Sequence, residues 1–121
     1  MKTLLFLITI LISYTSFSQY GYSTKSKKAI KLFEMGQKEP NLSIDQATNL
    51  PNFRKGIEYI QKSIEKDPNF WEAHLLIAEY YEYLFEYDNA ILHYKKAIEI
   101  NPNHTYTGST YFYLANLQFA T

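Results

Sequence analysis

Cysteine is absent from the 121 residues, so neither a disulfide frame nor a zinc–thiolate cluster can hold this chain together. An excess of charge of either sign is missing too. Twelve Lys and Arg offset twelve Asp and Glu, and no basic stripe runs along any segment, which removes the electrostatic footprint of a nucleic-acid binder. The four glycines are dispersed and build no phosphate-cradling loop. His74, His93 and His104 include no i, i+4 pair that would grip a metal from one helix face. No Ser–His–Asp set and no pair of acids inside an apolar pocket suggests a reaction centre. The sequence therefore predicts no cofactor, no metal and no catalysis.

The apolar run over residues 4–12 is about half of the ~20 residues that cross a bilayer. Lys2 stands before it, and small polar residues follow to Ser18. That order reads as a signal peptide over 1–18, cut before Gln19, and an exported chain follows from it. No cysteine follows the run, so no lipid is expected there. Residues 19–24 form a polar lead-in, and 25–121 form one helical domain.

What is present is a repeat. Lys62-Ser-Ile-Glu-Lys-Asp-Pro-Asn69 returns 34 residues later as Lys96-Ala-Ile-Glu-Ile-Asn-Pro-Asn103. Apolar residues at helical spacing (Ala29, Ile30, Leu32, Phe33 and Gly36, then Ile57, Ile60 and Ile64) predict helices over 25–37 and 53–66. Two more are predicted over 71–84 and 87–100. Pro40, Asn41, Asn49 and Pro51 mark 38–52 as an inserted loop, with at most a helical turn at 44–50. Residues 111–121 match the first helix of a further unit. With nothing after it to cover Tyr111, Phe112, Leu114, Leu117 and Phe119, the chain reads as the N-terminal piece of a longer protein.

The 34-residue period, with a proline just after each second helix, resembles the tetratricopeptide repeat (TPR), and the resemblance implies an all-α helix-turn-helix solenoid, incomplete at its C-terminus. It places the family's small positions on Ala78, Ala90 and Ala97, and its large ones on Ile77, Tyr81, Tyr87 and Tyr94, with Pro102 closing the core set. Phe53, Gly56, Ile60, Ser63 and Pro68 take the same slots one unit earlier. His74 stands where the family often has tryptophan, and Phe85 where it has glycine. His74 then faces the core, His93 an outer face and His104 a loop.

The same register puts Glu72, Leu75, Glu79, Glu82 and Tyr83 on the face that lines the concave groove of such solenoids. Phe112, Asn116 and Phe119 take that face on the last helix. A groove acidic on one side and aromatic on the other suits a protein or peptide with basic and apolar side chains. Resemblance also extends to a narrower type, carried by Ser26-Lys-Lys-Ala-Ile-Lys-Leu-Phe-Glu34, by the 59–74 segment and by Tyr111-Phe-Tyr-Leu-Ala115. It is similar to exported cell-envelope proteins of Bacteroidota whose repeats precede a β-propeller and an OmpA-like domain, some of them type IX secretion accessories. That resemblance implies a non-enzymatic periplasmic scaffold, touching the membrane only through its complex. Two alternatives stay open: the sensor region of a TPR-bearing histidine kinase, and a module that self-associates through its C-terminal helix.

Overall fold

The computed structural model describes residues 21–103, 114–117 and 119. The signal-peptide segment, His104 and Phe112 lie outside them. Among the described residues, four helices form two antiparallel pairs: α1 Lys27–Leu42 packs on α2 Phe53–Lys66, and α3 Trp71–Tyr83 on α4 Tyr87–Ile100, with α2 against α3 between the pairs. Residues 114–117 and 119 are helical, and Leu114 and Leu117 are buried in the same core. The fold is an all-α helical repeat.

Local chemistry sets most of the boundaries. Ser26 caps α1, its Oγ accepting from the Ala29 amide at 3.2 Å, and Asn52 caps α2 through the Lys55 amide at 3.1 Å. After α2, the Asp67 side chain accepts from the Asn69 amide at 3.0 Å and turns the chain into α3. α3 is buried on nearly every side, Trp71 to Ala78 together with Tyr80 and Tyr81. α4 buries only the Ala90, Tyr94 and Ala97 face, and α2 buries the matching Gly56, Ile60 and Ser63. The small–large–small register thus holds in both units. Two core expectations need correction. Tyr87 is half-buried at the edge of the core, and Pro102 is exposed, acting as a helix stop rather than as packing.

The inserted loop is also corrected. α1 continues through Pro40 to Leu42, where an interior proline ordinarily leaves the carbonyl four residues back without its partner. Here that carbonyl belongs to Gly36, and the buried Tyr80 hydroxyl donates to it at 3.0 Å. The freed acceptor is satisfied from another helix, so the proline is tolerated. Within 44–50 a single helical-type turn forms, the Asn49 amide donating to the Asp45 carbonyl at 2.8 Å, and it links two short strands. Ile44–Asp45 pairs antiparallel with Leu50–Pro51, and Asn49 adopts φ +58° in the connecting turn.

Between α3 and α4, the Glu86 amide donates to the Tyr81 carbonyl at 2.9 Å and the Phe85 amide to that of Glu82 at 3.0 Å. This pair of bonds places Phe85 in the left-handed region, at φ +60°. The turn therefore keeps the geometry that glycine would favour while carrying a phenylalanine that is 74% exposed. A left-handed non-glycine residue costs ~1–2 kcal/mol, and glycine recovers most of that, less its own unfolded-state entropy. Phe85→Gly is expected to raise stability by about 1 kcal/mol. A higher urea midpoint at unchanged slope is the check.

Candidate functional site

The residues expected to line a groove divide into three groups. Glu72 is buried, and its carboxylate accepts from the Ser23 amide at 2.8 Å and from the Ser23 hydroxyl. It is committed to the chain's own lead-in, where Thr24 also donates to Asp67 and the Tyr22 ring sits edge-on to Phe33 at 5.4 Å. Leu75 is 7% exposed and belongs to the core. Neither Glu72 nor Leu75 is open to a partner, which corrects the groove reading at both positions. Asn116 and Phe119 are exposed.

Glu79, Glu82 and Tyr83 do come together. With Tyr94 of α4 they line a cavity of about 130 Å³. Tyr83 is held from behind by Phe53, ring centroids 4.9 Å apart. The Tyr94 hydroxyl donates to Glu82 Oε2 at 2.8 Å, which fixes one carboxylate at the cavity wall. Burial, together with the charges of Glu79 and Glu82, pushes the Tyr94 hydroxyl far above its ordinary range, so it stays a donor. The Glu79 carboxyl has no hydrogen-bond or ion-pair partner among the described residues. Burial first, and then the Glu82 charge, push its pKa up to about 7. A half-buried acid without a counterion beside a second carboxylate has the chemistry to accept an ammonium or guanidinium group. Sequence periodicity placed Glu79, Glu82 and Tyr83 on one face. It did not place Tyr94 with them, because that residue also fills a core slot.

On the other side of α4, His93 is not on an outer face. Its Nδ1 lies 3.1 Å from Nδ1 of the buried His74. The two belong to different helices, and their spacing of 19 residues follows no single-helix period, so no local pattern announces the contact. Among the described residues no three His, Cys, Asp or Glu side chains are grouped to hold a metal ion. No described helix is long and apolar enough to cross a membrane.

Comparison with known families agrees with this architecture. Residues 71–104 match the tetratricopeptide repeat, a span that starts with α3 and takes in the whole of α4. Repeats of this kind commonly mediate protein–protein interaction and are typically non-catalytic. No curated protein matches the chain.

Proposed function

We propose that this chain is a non-enzymatic scaffold that captures a protein or peptide at the α3 face, seating a lysine or arginine side chain between Glu79 and Glu82. Apolar neighbours of that cation would lie along Tyr83. One observation carries the reading: an unpartnered Glu79 carboxyl faces a cavity whose other carboxylate is already fixed by Tyr94. A cation entering there supplies the missing charge partner, and the low local dielectric strengthens the contact. The apolar run and small polar cut region before Gln19 support export, and work in the periplasm within a cell-envelope assembly rests on the resemblance of residues 26–34 and 59–74 to exported envelope proteins.

Calorimetric titration with a Leu-Lys-Leu tripeptide, blocked at both ends, tests the seat, with the acetyl-lysine version as the neutral control. The charged peptide is expected to bind at least tenfold more tightly, and the Glu79→Gln/Glu82→Gln double variant to lose that preference. Equal binding of the two peptides would remove the seat. For the export arm, mass spectrometry of chain secreted by a Gram-negative host should find Gln19 at its N-terminus. An intact Met1 would count against export. Exposure of Phe119 favours a second reading, self-association through the last helix, which sedimentation equilibrium excludes if the mass stays monomeric at all concentrations.

A further inference from the structure

The contact between His74 and His93 has a geometry that fixes its protons. His74 Nε2 lies 2.9 Å from the Pro68 carbonyl oxygen, which can only accept, so His74 carries its hydrogen on Nε2 and presents a bare Nδ1 lone pair. His93 must then donate from its own Nδ1 across the 3.1 Å gap. Ring centroids stand 5.3 Å apart with planes inclined by 29°. That separation is close to the nitrogen contact plus two ring radii, so the imidazoles meet edge to edge and nearly in plane. The lone pair and the N–H point at one another rather than converging on a third atom, which is hydrogen-bond geometry and not the geometry of two ligands around a metal.

We propose that His74 and His93 form a proton-operated latch between α3 and α4, closed while at least one ring is neutral and forced open when both are charged. A first proton is accommodated: His74 Nδ1 becomes the donor and His93 shifts its hydrogen to Nε2. A second proton leaves two N–H groups and two positive charges facing one another across 3.1 Å, which the closed form cannot hold.

The surroundings oppose charging as well. The adjoining cavity of about 320 Å³ is lined from α4 by Lys95, Lys96 and Glu99. Lys96 sits 3.6 Å from Glu99, so part of its charge is already offset. From α3 the Tyr81 ring lies parallel to His93 at 5.8 Å, and from the turn before α3 comes the Pro68 carbonyl. Burial lowers the pKa of His74, and burial with the His74 charge lowers that of His93 to about 4. Well above pH 6.5 both rings are neutral in the folded and the unfolded chain, and the latch contributes in full. As pH falls from 6.5 toward 4, the unfolded chain takes up a proton on each ring whereas the closed latch holds at most one, and stability is lost. Because Tyr94, which holds Glu82, follows His93 on the same helix, an open latch would also loosen the cation seat. That last consequence rests on the function proposed above; the latch itself does not.

Nitrogen-15 spectra of the imidazoles test it in the intact chain. At pH 7.5 His93 should be the Nδ1–H tautomer and His74 the Nε2–H tautomer, with a nitrogen–nitrogen coupling across the hydrogen bond. Two Nε2–H tautomers without coupling, each titrating near 6.5, would overturn the latch. Unfolding midpoints supply the second readout, measured in a Glu79→Gln background because Glu79 titrates in the opposite sense over the same window. The midpoint is expected to fall by several degrees between pH 6.5 and 4.5, and much less when His93→Phe is added. Equal falls with and without His93 would also overturn the proposal. Should the phenylalanine variant not fold, the spectra of the parent decide.

Discussion

Replacing Gly56 by valine is expected to remove about 3 kcal/mol of folding stability. α1 and α2 cross at Gly36 and Gly56, and a Cβ built on Gly56 would stand 2.8 Å from Tyr80 Cε2 and 3.0 Å from the Gly36 carbonyl oxygen. One obstacle is backbone and cannot yield cheaply. The other is a ring that is fully buried, in contact with Phe53 at 5.2 Å, and tethered by its hydroxyl to Gly36. If Tyr80 swings away, the carbonyl that Pro40 left unpaired becomes a buried orphan, costing ~1–3 kcal/mol more. Alanine separates sterics from helix propensity, because Gly→Ala inside a helix should gain about 1 kcal/mol where there is room. Urea unfolding should therefore rank parent above alanine above valine. An alanine variant as stable as the parent would show that the two helices do not approach this closely.

The same crossing shows how far the sequence could be read. Spacing alone placed α2 and α4 at their observed ends, since each has a proline turn after it and a small residue where the next helix approaches. Gly56 and Ala90, 34 residues apart, mark the same slot twice. Pro40 broke the reading because its compensation comes from Tyr80, on a helix two elements away. Glu72 failed for a related reason: helical periodicity assigns a face, but the face was already taken by Ser23, 49 residues distant. His93 was misplaced because a lone histidine on an amphipathic helix has no local mark of its partner. Contacts that repeat with the chain were legible, whereas contacts made once, across the fold, were not. The candidate seat divides along that line, with Glu79, Glu82 and Tyr83 legible on one helix and the Tyr94 hydroxyl that completes it supplied by another.

Glu79→Gln should stabilise the protein by about 2 kcal/mol at pH 8 and change little near pH 4.5. In the folded chain the Glu79 carboxyl keeps its proton up to about pH 7, whereas unfolding returns it to the ordinary value of 4.5. Between those pH values the folded state binds the extra proton, so its stability falls as pH rises and reaches its floor above 7. The interval at ~1.4 kcal/mol per pH unit sets a ceiling of roughly 3.5 kcal/mol. Water still reaches part of this half-buried side chain, which brings the expectation down to about 2 kcal/mol. Glutamine fills the same space without the charge and removes the penalty at every pH. Thermal melts of parent and variant at pH 8 and 4.5 provide the check. Identical melting temperatures at pH 8 would mean that the carboxylate is solvated and costs the fold nothing. A stabilising substitution that also abolishes preference for the lysine peptide would tie the two properties together. The empty site would then hold a charge at the expense of stability, and a bound cation would relieve that penalty. If stability rises while the preference for lysine survives, the unpaired carboxyl is a local imperfection of the α3–α4 packing and Glu82 alone seats the cation.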